Sequence, residues 1–433
     1  MSRSVDTLIH PRWVVTVNDD NQVLENHSVA INDGQIIAIV PRSEAAEFEA
    51  EQELTLDDHA LMPGLVNAHT HAAMSLMRGM ADDKALMDWL QNHIWPAEVR
   101  LVNPEFVALG TELAVAEMIK GGTTCFNDMY FFPEEAAKVV DATGIRGSLG
   151  IILLDFPSAY GTGPDDYLNK GMALREQYSD HARLSFVLAP HAPYTVSDGP
   201  FADVVRLSKE HDLPVHMHIH ETSDEVDMAV ADNGKRPLQR LTDLGLVNDK
   251  LLAVHMTQLN DEEISQLADA GTHILHCPES NLKLASGFCK VAALNDAGIN
   301  VAVGTDGAAS NNDLDMFGEM RTAALLAKGV ASDATAVPAE TALRMATING
   351  AKALGLSDKI GSVEVGKQAD LVAVDLGCLE TQPVYDAVSQ LVYAAGPQHV
   401  SDVWVNGKVL LKEGMLTTID ASDLLKRVAD RPK

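Results

Sequence analysis

Between residues 61 and 368, short apolar runs alternate with longer segments whose apolar positions recur at helical spacing. The runs predict eight β-strands, namely Leu61–Val66, Thr123–Asn127, Arg146–Ile152, Leu184–Ala189, Pro214–His218, Leu251–Val254, His273–Leu275 and Asn300–Gly304. Helices are predicted between most of them, most clearly over Pro104–Lys120, because Asn103 can cap it and Gly121 can end it. Another helix is predicted from Pro338 to about Gly355.

Eight strand–helix units indicate an α/β fold of the (β/α)8 TIM-like barrel type, whose active site lies at the carboxyl ends of the strands. A doubly wound open sheet is the alternative. The sequence contains no G-x-G-x-x-G or Walker loop that would support that alternative.

Both ends of the chain carry strand-like patterns instead. Apolar segments on either side of Asp33-Gly34 and of Asn406-Gly407 predict two tight hairpins, since glycine accepts a positive φ. We therefore expect residues 1–60 and 369–433 to form one small β-sandwich domain, and residues 61–368 to form the (β/α)8 barrel. Two independent β appendages are the alternative.

The amino-acid composition indicates which classes of binding partner to expect. The 433 residues include 62 acidic and 32 basic side chains, a net charge of −30. A surface so acidic argues against nucleic acids and anionic membranes as partners, but not against an uncharged nucleoside. The four cysteines are scattered, and the chain shows no signal-peptide pattern and no membrane-spanning run, so we expect a cytoplasmic protein.

Candidate metal ligands follow several predicted strands. His69 and His71 lie one residue apart, and alternate residues of a strand share a face, so both imidazoles can bind one metal ion. Strand 5 carries three alternating histidines, and spacing alone does not choose among His216, His218 and His220. Strand 8 ends in Asp306, which is either a ligand or an Asp-Gly turn residue. Three imidazoles and one carboxylate would hold a divalent cation and leave a position for an activated water.

The motifs that carry these residues resemble the amidohydrolase superfamily. They are P-G-L-V-N-A-H-T-H at 63–71, H-x-x-E at 218–221, His255 and G-T-D-G at 304–307. Residues 71–79, 89–98, 220–223, 276–284 and 304–313 resemble the 5-methylthioadenosine/S-adenosylhomocysteine deaminases more closely. The resemblance covers nearly the whole chain. It implies hydrolytic deamination of adenosine-type nucleosides to the inosine analogue and ammonia by a metal-activated water.

The same resemblance assigns roles to individual residues. It implies a metal site made of His69, His71, His218 and Asp306, holding one divalent ion, with zinc expected and iron the alternative. It implies that Glu221 protonates the ring nitrogen, His255 orients the water and supports the developing alkoxide, and Asp306 accepts the water's proton. It implies substrate contacts from Glu98, His191, Glu221 and Asp306, with Glu98 on the ribose hydroxyls. Trp89 and Trp95 are candidates either for the pocket wall or for the core. A homo-oligomer is expected from family habit.

One departure bears on the substrate. Relatives of this type can hold the homocysteine carboxylate with arginines after strand 3, whereas residues 147–171 contain no arginine and only one basic residue, Lys170. We therefore expect 5-methylthioadenosine or adenosine to be better substrates than S-adenosylhomocysteine, unless another loop or subunit supplies the cation. A guanine-type or s-triazine hydrolase of the same branch is the main alternative function. A binuclear hydrolase would need a carboxylated lysine where this chain has Ala-Pro-His, and a non-catalytic scaffold would be expected to lose ligands.

Overall fold

The computed structural model describes residues 3–431, which form seventeen strands and sixteen α-helices. The strands are β1 Arg3–Val15, β2 Val23–Glu25, β3 His27–Asn32, β4 Gln35–Pro41, β5 Phe48–Pro63, β6 Leu65–Thr70, β7 Thr123–Asp128, β8 Arg146–Leu153, β9 Leu184–Pro190, β10 Val215–Ile219, β11 Leu251–His255, β12 His273–His276, β13 Asn300–Val303, β14 Leu371–Asp375, β15 Val400–Val405, β16 Lys408–Lys412 and β17 Met415–Leu416. The α-helices are Leu86–Asp88, Trp95–Leu101, Pro104–Lys120, Pro133–Thr143, Pro164–Gln177, Asp198–His211, Ser223–Asn233, Pro237–Asp243, Asp261–Ala270, Pro278–Lys283, Val291–Asp296, Met316–Ala331, Ala339–Met345, Ile348–Ala353, Ala387–Tyr393 and Ala421–Asp430. Within residues 3–431, we find no helix with the length and apolar character needed to span a membrane.

The predicted barrel is confirmed. Strands β6 to β13 pair in parallel and in chain order. The seam between β13 and β6 is closed by side chains as well as backbone. Asn67 donates to Thr305 Oγ1 at 2.7 Å and accepts from the Thr305 N–H at 3.0 Å, and the Asp306 N–H donates to the carbonyl of His69 at 3.0 Å. A Cβ at Gly304 would lie 2.5 Å from the His69 nitrogen, so only glycine permits this approach.

Seven of the eight predicted barrel strands agree with the structure to within one residue at each end. The prediction of the first barrel strand, Leu61–Val66, was wrong. Leu61–Pro63 pair with β14 in the other sheet, and the barrel strand begins at Leu65. Gly64 separates the two strands, and its missing side chain leaves room for Thr124, whose Oγ1 would lie 2.0 Å from a Cβ. The helix Pro104–Lys120 is confirmed, with Asn103 accepting from the Phe106 N–H. The helix predicted from Pro338 is instead two short helices, 339–345 and 348–353.

Both chain ends enter one mixed sheet, in the order β17-β16-β15-β14-β5-β1-β3-β4, with β2 paired to β1. The two predicted hairpins meet, since a Cβ at Gly34 would lie 2.7 Å from the carbonyl oxygen of Asn406. Side chains from both chain ends, including Ile36 and Trp404, pack in one hydrophobic cluster. The shared sheet confirms the prediction that the two ends of the chain pair with each other. The division at residues 60 and 369 stays a prediction.

A buried ion pair ties the sheet to the barrel. Arg146, at the start of β8, donates to both carboxylate oxygens of Asp370 at 2.9 and 3.1 Å, and each residue is about 2% exposed. Asp370 also accepts the N–H of Asn406, and its carbonyl accepts the N–H of Gly64. The pair therefore fixes the start of the barrel relative to the small sheet.

The segment between β6 and the helix Pro104–Lys120 covers one side of the carboxyl ends of the strands. It contains a 3-10 turn at Ala72–Met77, a π-helical turn at Trp89–Ile94 and the helix Trp95–Leu101. Its apolar side chains pack with Tyr130 and Leu284 from barrel loops. This segment supplies a wall of the cavity described next.

Candidate active site

A cavity opens at the carboxyl ends of the barrel strands, where the sequence placed the candidate residues. Most of its wall is apolar. The polar side chains on it are those of His71, Glu98, Tyr130, Ser158, His191, Tyr194, Thr195, His218, Glu221, His255 and Asp306, together with the indoles of Trp89 and Trp95. The structure thus brings nearly all of the predicted site residues to one place, with His69 buried directly behind.

Four predicted metal ligands converge on one point. His69 Nε2 lies 3.3 Å from His218 Nε2 and 3.4 Å from Asp306 Oδ1, and His71 Nε2 lies 3.3 Å from the same oxygen. Metal–ligand bonds of about 2.0–2.1 Å in a tetrahedral site place ligand atoms about 3.3 Å apart. The spacing and the donor types therefore fit one small divalent cation.

Hydrogen bonds on the far side of each ring leave the inward nitrogens free. Nδ1 of His71 lies 2.6 Å from the carbonyl of Met129, and Nδ1 of His218 lies 2.7 Å from the carbonyl of His191. A carbonyl can only accept, so Nδ1 carries the hydrogen and Nε2 presents its lone pair to the site. Burial lowers the pKa of His69 to about 4, which keeps its ring neutral. The Nε2 atoms of His69, His71 and His218 thus face one point where a cation could bind.

The two other histidines of strand β10 lie elsewhere. His216 is buried beneath the site, with Nε2 2.8 Å from Nδ1 of His69 and Nδ1 3.3 Å from the Asn127 amide. His220 has a φ of 53°, which turns its ring toward the Leu238 N–H at 3.2 Å and away from the cluster. His216 therefore supports a ligand, while His220 anchors a neighbouring helix.

The two predicted proton-handling carboxylates differ in charge. Burial raises the pKa of Glu221 to about 8, and the negative charge of Asp306 adds to the rise. Burial alone would raise the pKa of Asp306 as well, but the surrounding imidazoles of His69, His71 and His255 hold it well below its usual range. At neutral pH the site therefore holds one protonated and one ionised carboxyl group, the arrangement that separates an acid from a base.

Two residues that the sequence analysis left without a role position Asp306 and His255. Ser280 donates its hydroxyl to Asp306 Oδ2 at 2.7 Å, while the Gly307 N–H donates to Oδ1 at 2.7 Å. Asn281 Oδ1 lies 2.8 Å from His255 Nδ1, so that nitrogen carries a hydrogen. Burial lowers the pKa of His255, which favours the neutral ring with an unprotonated Nε2, 3.6 Å from Glu221 Oε2. Both residues, Ser280 and Asn281, belong to the Pro-Glu-Ser-Asn segment at 278–281. Its run of polar residues is the sequence feature that could have identified them as functional.

Two of the predicted substrate contacts, Glu98 and His191, line the cavity from different elements. Glu98 is on the helix Trp95–Leu101, where burial raises its pKa to about 7 although a hydrogen bond from Tyr130 lowers it. His191 follows β9, with its ring centroid 4.9 Å from that of His218, and burial lowers its pKa to about 3. Trp89 and Trp95 both line the cavity. These residues surround a space between the metal cluster and the opening.

The outer wall carries no cation. Among residues 3–431, the side chains lining the cavity include no lysine and no arginine, and the segment after β8 contributes Phe156, Pro157, Ser158 and Ala159. Lys170, the basic residue of this region, is directed to the carbonyl of Tyr160 and to Asp166 instead. An apolar group suits this wall better than a charged one.

Comparison with known proteins agrees with this geometry. The amidohydrolase family matches residues 60–410. A protein of Saccharophagus degradans named 5-methylthioadenosine/S-adenosylhomocysteine deaminase is 48% identical over 98% of this chain and 95% of its own length. The crystal structure of an adenosine deaminase from Xanthomonas campestris with bound zinc is 52% identical, with a TM-score of 0.98 over 99% of this chain and 98% of that one. A triazine hydrolase variant has a TM-score of 0.92 at 23% identity, covering 98% of each chain, a likeness of fold alone.

Proposed function

The chain belongs to the amidohydrolase family, and from that premise we propose that it is a metal-dependent hydrolytic deaminase of adenosine-type nucleosides. It converts 5-methylthioadenosine, S-adenosylhomocysteine or adenosine to the inosine analogue and ammonia. The observation that carries the proposal is the pair of buried carboxyl groups of Glu221 and Asp306 in the cavity that holds the cluster of His69, His71 and His218. The relatives at 48% and 52% identity, whose names specify deamination of adenosine compounds, support it.

His69, His71, His218 and Asp306 would hold one divalent cation, zinc in our proposal, and such a cation would lower the pKa of a water molecule enough to supply hydroxide near neutral pH. Asp306 is placed to accept a proton from the attacking water. Glu221 delivers its proton to the ring nitrogen next to the amino group, so negative charge does not accumulate on the ring. Burial lowers the pKa of His255, and its Nδ1 donates to Asn281, so Nε2 can accept a hydrogen bond from the attacking water and orient it. The proton held by Asp306 then passes to the leaving amine and the C–N bond breaks, while the C6 hydroxyl returns its proton to Glu221. The products are the 6-oxo nucleoside and ammonia, and both carboxyl groups are back in their starting states.

Within this class we propose a preference for uncharged 5′ substituents. The apolar outer wall offers a methylthio group contact with Phe156 and Pro157. A homocysteine carboxylate would be desolvated there without a partner, which costs several kcal/mol. We therefore expect S-adenosylhomocysteine to be at least roughly tenfold poorer in kcat/KM than 5-methylthioadenosine, the equivalent of about 1.4 kcal/mol.

The test is ammonia release from 5-methylthioadenosine, S-adenosylhomocysteine, adenosine and guanine. The enzyme is first stripped with a chelator and then reloaded with zinc or iron(II). Metal-dependent turnover of the adenosines supports the function, and the two metals compared at equal occupancy decide between zinc and iron. Turnover of guanine alone would favour the guanine-type alternative. If S-adenosylhomocysteine is the best substrate, the proposed preference is wrong while the deaminase assignment stands.

Two further expectations stay predictions: that the chain forms a homo-oligomer, and that it acts in the cytoplasm. Size-exclusion chromatography with light scattering measures the first, and fractionation of the source cells measures the second.

A further inference from the structure

Tyr130, which belongs to none of the motifs identified above, contacts the carboxylate expected to bind ribose. It lies two residues after the end of β7, is 5% exposed, and donates its hydroxyl to Glu98 Oε1 at 2.8 Å. Both side chains line the cavity. A tyrosine of the barrel thus meets a carboxylate of the covering segment inside the candidate active site.

The contact matters because Glu98 has few other partners. Among residues 3–431, Tyr130 is the one hydrogen-bond donor to the Glu98 carboxylate. The nearby wall is formed by Ile94 and Val102. A buried carboxylate needs donors, and one that is unsatisfied tends to take up a proton instead. The tyrosine hydroxyl therefore holds one oxygen in place and favours the ionised form, while the remaining lone pairs face the cavity.

Tyr130 itself is held at a fixed distance from the metal cluster. The preceding residue, Met129, accepts the Nδ1 hydrogen of His71 at 2.6 Å, and the rings of Tyr130 and His71 lie 6.4 Å apart. The ring of Phe131 packs against Tyr130 at 5.4 Å. One short loop thus positions a metal ligand and, through Tyr130, the carboxylate on the opposite wall.

We propose that Tyr130 is the positioning residue for sugar recognition: it orients Glu98 so that the carboxylate accepts hydrogen bonds from the 2′ and 3′ hydroxyls of the bound nucleoside. The inference rests on the proposed function, because it requires a ribonucleoside in this cavity. It predicts that the selectivity for a vicinal diol depends on the tyrosine hydroxyl and not on the ring.

The test compares adenosine with 2′,3′-dideoxyadenosine in Tyr130→Phe, with the zinc-loaded enzyme. We expect KM for adenosine to rise about tenfold, the loss expected when one hydrogen bond no longer orients the carboxylate, while kcat changes less than about threefold. KM for the dideoxynucleoside should stay within about twofold, since it has no hydroxyls for Glu98 to bind. In Glu98→Gln, adding Tyr130→Phe should have no further effect on either substrate.

Tyr160→Phe is the matched control. Tyr160 is also about 6% exposed and packs on Phe132, but it does not line the cavity. Its variant should keep the native KM for both nucleosides. Equal losses on adenosine and the dideoxynucleoside in Tyr130→Phe would overturn the inference, because they would mean that the tyrosine serves packing alone. No loss on adenosine would overturn it too.

Two measurements keep the outcomes separate. The melting temperature of Tyr130→Phe shows whether the variant is folded. If it is not, Glu98→Gln in the native tyrosine background carries the same comparison, and an effect not confined to the hydroxylated nucleoside would contradict the inference. Absence of nucleoside turnover in the unmodified enzyme would instead contradict the proposed function.

Discussion

Replacing Glu221 with glutamine tests the division of labour between the two carboxylates. The amide keeps the shape of the side chain but cannot deliver a proton to the ring nitrogen. General acids contribute about 10²–10⁴-fold to such reactions, so kcat should fall by that factor, equivalent to about 3–5 kcal/mol of transition-state stabilisation. KM for adenosine should change little, because the side chain still occupies its place in the cavity.

The pH dependence supplies an independent check. The pKa of Glu221 is raised to about 8 by burial and by the charge of Asp306, so the group is protonated and competent below that pH. Turnover should therefore be level at neutral pH and fall tenfold per unit once the pH exceeds that pKa. A cation beside Asp306 favours the ionised form of Glu221, so in the loaded enzyme the descending limb should lie at or below pH 8.

The assay is the rate of ammonia release at saturating adenosine between pH 5 and about 10, with Glu221→Gln and the exposed-carboxylate control Glu262→Gln in parallel. The residual rate of Glu221→Gln should lack the descending limb, and Glu262→Gln should match the unmodified enzyme. A kcat for Glu221→Gln above about a tenth of the native value would refute the reasoning, as would a native limb well above pH 8.

Three other changes have expected outcomes. His216→Gln should weaken metal affinity about 10–100-fold, because the ring that supports His69 is lost, and chelator competition measures this without any activity assay. Asp370→Asn should lower the free energy of unfolding by about 3–5 kcal/mol, because it leaves the charge of Arg146 buried without a partner. Denaturant titration measures this loss. A loss below about 1 kcal/mol would contradict the role assigned to the pair. Because burial raises the pKa of Glu98 to about 7, its ionised form is lost as the pH falls through that value, so KM for adenosine should rise below pH 7 while that for 2′,3′-dideoxyadenosine stays level.

The sequence predicted the fold correctly wherever the local hydrophobic pattern is compatible with only one secondary-structure element. Seven barrel strands are short apolar runs bounded by helices, and their limits agree with the structure. The first strand failed for a physical reason. Leu61–Pro63 and Leu65–Val66 are both fully buried, one group in the small sheet and the other in the barrel, so hydrophobicity is the same on each side of Gly64. Only the partner strands distinguish them.

The choice of ligand on β10 shows a second limit. His216, His218 and His220 have equal spacing, and the resemblance, not the spacing, selected His218. In the structure the three rings differ in depth and backbone conformation: His216 lies one layer below, and the left-handed conformation of His220 removes it from the alternation. Neither the depth of a ring nor its backbone conformation can be predicted from the spacing of residues in the sequence. The same applies to Ser280 and Asn281, which reach Asp306 and His255 only because separate strand ends meet.

The orientation of the reacting groups depends on strained backbone at those strand ends. His255 and Asp306 have φ values of 73° and 60°, in the left-handed region that costs non-glycine residues about 1–3 kcal/mol. The cost at Asp306 is offset by hydrogen bonds from across the seam, since its N–H donates to His69 and its carbonyl accepts from the Thr70 hydroxyl at 2.9 Å. Both partners lie more than two hundred residues away in the sequence. The conformation that we propose for catalysis therefore forms only when β6 and β13 have closed the barrel. The sequence of residues 300–307 alone could not predict it.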